Sequence, residues 1–220
     1  MEVGQFQDNG EWDVFASGAV KSSDQGKNWA VVPGLRWISK DASGVEGNAK
    51  NFGQIFPLVA DDHLYIYGIP GGRSGGVQLG RVALDKIDDY ASYEYFVKKD
   101  TDGNPVWSQG DAGLNLIKNL DSSYIVAPSC GELCVCYEPY LQRYMMTYMQ
   151  SNSQIVMRRS LTPYGDWSGS DVFMKQSDLS GLYGGMTSPA LFEDGGKKIY
   201  LMVSEWWPTY NVHLIEAVFN

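Results

Sequence analysis

The sequence is poor in the residues that usually announce metal or redox chemistry. It holds two histidines, His63 and His213, and three cysteines, Cys130, Cys134 and Cys136. Two distant histidines do not make a histidine-rich metal centre, and no metal site or cofactor is assigned. An odd number of cysteines in a C-x3-C-x-C cluster matches neither a disulfide framework nor the common zinc spacings. Cys134 and Cys136 would share one face of a strand, because side chains repeat every two residues; they read as small buried thiols. Cationic residues are outnumbered too: 17 Lys and Arg against 26 Asp and Glu give a net charge of −9. That balance argues against a nucleic-acid backbone or an anionic membrane as partner, and its plainest role is solubility. No apolar run approaches the ~20 residues of a membrane span. The N-terminal stretch also lacks a signal-peptide core. Helix signals are nearly absent. The best candidate is ALDKIDDYASYEY, whose DKIDDY portion reads equally well as a surface loop.

What the sequence does have is aromatics, glycine and recurrence. Trp and Tyr number 7 and 14, beside 25 Gly and 9 Pro. This mixture suits many short strands joined by tight turns, and it suits surfaces on which sugars stack. A three-strand pattern returns three times. One copy is IFPLVADDHLYIYGIPGG with GVQLGRVAL, the next LCVCYEPYLQRYMMTYM with QIVMRRSL, the last SPALFEDGGKKIYLMVSEWW with NVHLIEAVF. Leu79, Met157 and Leu214 hold equivalent places in the third strands. Such recurrence in an all-β chain is the signature of propeller blades, small sheets that cannot bury both faces alone. The expectation is therefore one all-β domain over residues 1–220, a β-propeller of about four blades. KKDTDGNPVWSQGDAG reads as an insertion on a blade's rim.

Ser22, Asp24, Gly26 and Trp29 match the Asp-box pattern S-x-D-x-G-x-x-W, a hairpin between the third and fourth strands of a blade. Its logic is local: a carboxylate accepts turn hydrogen bonds, glycine supplies the permissive dihedrals, and tryptophan packs under the hairpin. We read it as a marker of fold, since sites are grafted on folds. On this count the chain opens inside a blade and stops on a third strand, so a first blade is expected to be lacking. Unpaired blade edges would invite self-association.

Three stretches carry a resemblance to a known family: GIPGGRSGGVQLGRVAL (68–84), GELCVCYEPYLQRYMMTYM (131–149) with IVMRRSLTPYGDW (155–167), and residues 182–219. In linked order they resemble domain of unknown function 4185, grouped with glycoside hydrolase family 183. The resemblance implies a five-bladed propeller and an endo-D-arabinanase-like activity on the arabinan of mycobacterial arabinogalactan and lipoarabinomannan. It also implies an extracellular or cell-envelope location for the full-length protein and a polysaccharide or oligosaccharide as partner. The family's Asp-containing N-terminal strands and a Gly-Asp-Thr-type motif have no counterpart here, although those acids are expected to carry much of the catalysis. The chain therefore reads as a glycoside hydrolase-like propeller, or alternatively as a non-catalytic glycan-binding or truncated one.

Glycoside hydrolysis ordinarily needs two carboxyl groups flanking the scissile bond. Glu132, at the entry to a blade's first strand, is the candidate general acid; the alternative is a carboxylate that caps a turn or pairs with Arg73 or Arg143. Arg73, flanked by glycines in GGRSGG, is suited to hold sugar hydroxyls in a fixed fork or to tune a carboxylate. Trp206 and Tyr210 in SEWWPTYNV offer flat faces for furanose rings, with one of Trp206 and Trp207 expected in the core. Tyr183 and Gln54 occupy blade-entry positions and join them as candidate substrate-binding residues. Glu205 is a second acidic candidate, with outward placement on its strand as the alternative. Asp61, Asp62, Asp88, Asp89 and Asp194 lie in turns and read as solvated charges.

Overall fold

The computed structural model describes residues 2–6, 12–41 and 43–220, with side chains from Val14 onward. The described chain is all-β apart from one short helix and several single turns of 3₁₀ helix. Its strands form four antiparallel sheets built almost entirely from neighbours in sequence. Two compact units divide it, Met1–Gly71 with Gly76–Tyr124 and Gly72–Gly75 with Ile125–Asn220.

In the first unit β1 (Glu2–Phe6), β2 (Trp12–Lys21) and β3 (Ala30–Ile38) form one sheet. A second, five-stranded sheet runs in order through β4 (Gln54–Ala60), β5 (His63–Ile69), β6 (Gln78–Ala83), β7 (Glu94–Lys99) and β8 (Pro105–Gln109). The turn between β4 and β5 places Asp61 and Asp62 at φ +49 and +60, the two-residue geometry whose twist matches flanking strands. The core of this unit is aromatic. Trp37 meets Tyr93 edge-on at 5.2 Å, Phe52 meets Tyr95 at 5.3 Å, and Trp37 Nε1 donates to the Tyr95 hydroxyl at 2.8 Å.

Of the two readings of ALDKIDDYASYEY, the helix is not formed and the DKIDDY portion follows the looped alternative. Two 3₁₀ turns, Leu84–Lys86 and Tyr90–Ser92, take the helix's place before β7 begins at Glu94. Asp89 explains the break, since its carboxylate accepts from Ala91 N at 3.2 Å and Ser92 Oγ at 2.7 Å, a local bond that competes with a helix. The stretch read as a rim insertion instead completes the sheet: it supplies the β7–β8 turn, all of β8 and the start of α1 (Gly110–Ile117). Leu114 and Ile117, one turn apart, bury completely and anchor that helix against β7 and β8.

The second unit holds β9 (Cys130–Glu138), β10 (Arg143–Gln150), β11 (Gln154–Ser160) and β12 (Asp171–Lys175) in one sheet. Its other sheet has β15 (Lys198–Glu205) at the centre, with β16 (Asn211–Val218) along one edge and β13 (Leu182–Met186) and β14 (Phe192–Glu193) along the other. The first strand of this last repeat was expected in SPALFEDGG. Ser188 and Pro189 instead start a 3₁₀ turn, Ser188 Oγ accepting from Ala190 N at 3.3 Å, and Leu182–Met186 provides the main partner. Leu79, Met157 and Leu214 do fall in corresponding third strands, β6, β11 and β16.

The two sheets of this unit meet through β13, which lies close to β9 and β10. Thr147 Oγ1 donates to Gly185 O at 2.5 Å, and Cys134 Sγ donates to Thr187 O at 3.1 Å. A Cβ at Gly185 would lie 2.7 Å from Ile155 Cγ2, so only glycine permits this approach. Burial pushes the Cys130 and Cys136 thiols up to about 12 and raises Cys134 as well, which leaves all three protonated and inert. Glu138 is fully buried where β9 ends, accepting from Tyr140 N at 2.8 Å and Leu141 N at 2.6 Å. A Cβ at Gly196 would stand 2.1 Å from its Oε1.

Candidate functional site

The N-terminal end of β9 gathers the charged candidates. Loop 72–75 is pinned there by Cys130 N, which donates to Gly75 O at 2.8 Å. The stem of Arg73 then runs over Gly131, where a Cβ would come within 2.6 Å of Arg73 Cγ. This directs the guanidinium onto Glu132. Arg73 Nε donates to Oε2 at 3.0 Å and Nη2 to Oε1 at 2.9 Å, a two-pronged pair that fixes both planes. The remaining nitrogen, Nη1, donates to Asn152 Oδ1 at 2.8 Å in the β10–β11 turn. The Arg73 and Glu132 side chains keep 27% and 28% of their surface, so the pair is open to a ligand on one side. Of the partners considered for Glu132, Arg73 is the one it has; Arg143 donates to the carbonyls of Leu141 and Gln142.

From Asn152 a continuous path leads along the same end of the unit. Ser153 O accepts from Gln176 N at 3.0 Å, and the Gln176 side chain clamps Leu182 by bonding both its N (3.0 Å) and its O (2.6 Å). Leu182 opens β13 opposite Glu205, the last residue of β15. Beyond Glu205 the chain leaves the sheet, with Trp206 N donating to Gly181 O at 2.9 Å. The loop that follows carries its aromatics outward: Trp206, Trp207 and Tyr210 are 52%, 59% and 77% exposed. The expectation that one of the two tryptophans belongs to the core is corrected here, because both lie past the end of the sheet. Their rings sit 6.3 Å apart. Tyr183 meets Tyr210 edge-on at 6.5 Å, from the face of β13 opposite Leu182.

Arg73, Glu132, Tyr183, Trp206 and Tyr210 thus share one end of one unit, whereas Gln54 opens β4 in the other unit. Glu205 is not turned outward. Its Oε2 lies 2.9 Å from His213 Nε2, across the β15–β16 hairpin. The pairing of these two was not anticipated, although residues of equal parity across a hairpin share a face and could have suggested it. Among the described residues no group of three His, Cys, Asp or Glu side chains converges as a metal site.

In the first unit, the SSDQGKNW hairpin joins β2 to β3. Asp24 Oδ1 accepts from Asn28 N at 2.9 Å and Ser22 Oγ at 2.7 Å, while Oδ2 accepts from Asn28 Nδ2 at 2.6 Å. These bonds, the Asn28 amide foremost, lower its carboxyl to about 2. Trp29 lies across the tip, donating to Gly26 O at 3.0 Å, yet it stays 63% exposed instead of packing beneath.

Residues 1–216 match the model of the family described as "Domain of unknown function (DUF4185)". The chain belongs to the DUF4185 family. Among curated proteins it is similar to notoamide biosynthesis cluster protein J of Aspergillus sp. (strain MF297-2), with 28% identity over 208 residues, 91% of this chain and 50% of the relative. Among solved structures it is similar to "a putative hydrolase from Bacteroides ovatus ATCC 8483". That likeness has a TM-score of 0.50 at 17% identity, covering 89% of this chain and 53% of the other, and speaks to fold alone. The DUF4185 chain therefore spans about half the length of the relatives it matches. Among the described residues no helix is long and apolar enough to cross a membrane.

Proposed function

We propose that this DUF4185 chain is a carbohydrate-active β-propeller, its sheets serving as blades, and that the shared end of its second unit binds an arabinan-type polysaccharide. The observation that carries the reading is the Arg73–Glu132 pair, held by Asn152 and followed along the same end by an exposed aromatic loop. Sugar recognition asks for this combination, planar apolar faces for the C–H side of a ring and fixed donors for its hydroxyls. In this reading Trp206, Tyr210 and Tyr183 stack on furanose rings, and Arg73 Nη1 and Asn152 exchange their mutual bond for sugar hydroxyls. Glu132 acts on the glycosidic oxygen as the acid of an endo-D-arabinanase-like hydrolysis.

One feature favours a second reading, glycan binding without cleavage. Both oxygens of Glu132 already accept from Arg73, an arrangement suited to holding a hydroxyl rather than to releasing a proton. Incubation with mycobacterial arabinogalactan, followed by mass spectrometry, separates the two. Oligosaccharide release that falls by ~10²-fold or more in Glu132→Gln supports hydrolysis. Retention of the polysaccharide on the immobilised chain, without release and lost in Arg73→Ala, supports binding alone. A folded chain that does neither ends the glycan reading.

A further inference from the structure

The inner face of the second unit's β15–β16 hairpin is apolar along most of its length. Leu201 and Val203 on β15 and Ile215 and Ala217 on β16 pack with Met149, Ile155 and Met157. The alternation of a strand places two polar residues on the same face, at its end: Glu205, two residues past Val203, and His213, directly opposite Val203. An apolar row that finishes in a carboxylate and an imidazole is a costly use of core-facing positions unless the two groups satisfy each other. They do, at 2.9 Å.

The bond has a direction. A carboxylate can only accept, so the hydrogen lies on His213 Nε2. In the neutral ring Nδ1 is then bare and carries a lone pair on the side away from Glu205. Burial is graded in the same sense, with 14% of the Glu205 side chain exposed against 32% for His213. The carboxylate is the inner, orienting member and the imidazole the outer one. Their place follows from the pairing of Glu205 with Leu182, the residue that Gln176 ties to the Arg73–Asn152 end.

We propose that Glu205 and His213 form a proton-accepting pair, in which Glu205 sets the tautomer and His213 Nδ1 takes the proton of water or of a ligand hydroxyl. The proton passes from the hydroxyl oxygen to Nδ1, giving an imidazolium that the adjacent carboxylate stabilises, and returns to solvent afterwards. That the hydroxyl belongs to a sugar rests on the proposed function above; the basic character of Nδ1 does not. His213 is therefore the proton-accepting member, and Glu205 a positioning residue.

Two histidines make the test clean, because His63 serves as an internal control whose Nδ1 lies 2.8 Å from Asp61 O. In ¹⁵N-labelled wild-type chain at about pH 8, where an ordinary imidazole is neutral, His213 is expected to show a protonated Nε2 and a bare Nδ1. The functional arm uses p-nitrophenyl acetate as probe: water adds to its acetyl carbon, Nδ1 takes the water proton, and the bond to p-nitrophenolate breaks. Hydrolysis is expected to fall by at least about tenfold in His213→Gln, part of the range for one general base, and to stay unchanged in His63→Gln. On arabinogalactan, His213→Gln lowers kcat by ~10²-fold with KM within about twofold. A protonated Nδ1 in the wild type, or equal ester rates in wild type and His213→Gln, overturns the pair. Ester turnover that needs His213 in a chain that neither cleaves nor retains arabinogalactan leaves the pair standing and removes the glycan reading.

Discussion

The first unit fills its core with Trp37, Phe52, Tyr93 and Tyr95, and the second with Met145, Met149, Met157, Ile155 and Cys136. The two choices solve the packing problem differently. Aromatic rings meet at set angles, and Trp37 and Tyr95 must also satisfy a buried N–H and hydroxyl, which they do by bonding to each other. Thioethers and thiols carry no such obligation and adjust to irregular space. The second unit places its polar precision elsewhere, at the seam where Thr147 and Cys134 bond the backbone of Gly185 and Thr187. A core built on oriented rings gains a single arrangement at the risk of large local losses. A methionine core spreads the risk over many weak contacts.

Substitution should expose the contrast most strongly at Trp37. Trp37→Ala empties the largest site in the aromatic core and is expected to cost about 3–5 kcal/mol. Urea unfolding followed by amide exchange should show protection lost in the first unit before the second; equal loss in both would erase the distinction. Tyr95→Phe removes one oxygen and leaves the Trp37 N–H buried without its acceptor, at about 1–3 kcal/mol by the same measurement. Its counterpart in the other core, Met149→Leu, conserves volume and breaks no hydrogen bond, so the unfolding midpoint should report less than about 1.5 kcal/mol. A methionine change that proved costlier than Tyr95→Phe would reverse the comparison.

The smallest effect is expected outside both cores, at the β2–β3 hairpin. Asp24 titrates at about 2 in the folded chain against an ordinary 3.8, so its contribution is complete above 3.8 and disappears as pH falls through about 2. The Asn28 amide, which donates to Asp24, should lose protection relative to its intrinsic rate across that window while both cores keep theirs. Because Asp24 is solvent-exposed, the change should stay local to the hairpin.

Strands built on apolar runs between turn residues were legible in the sequence: β4 to β6, β9 to β11, β15 and β16. What escaped did so for physical reasons. Asp89 captures its own backbone and stops a helix that spacing alone would allow. The helix that does form, GDAGLNLI, has one buried ridge, Leu114 and Ile117, beside a glycine that weakens its propensity. At the site, the pairing of Arg73 with Glu132 was one of the readings open from composition, since a loop cation and a strand carboxylate were both at hand. The exposure of both Trp206 and Trp207 depends on where β15 ends, and the Glu205–His213 bond on the register of a hairpin. Neither is written in any single residue.

The turn after β9 has an evolutionary consequence. Glu138 and Gly196 lie far apart in sequence, yet the carboxylate fills the volume that any side chain at 196 would need. A mutation at 196 meets the buried carboxyl oxygen of Glu138 first, and a mutation at 138 releases two backbone donors before it makes room. Neither residue can drift ahead of the other. Gly196 also holds φ +98, where any side chain is strained even after Glu138 is shortened, so random mutagenesis should leave both positions nearly unchanged within the second half of the chain.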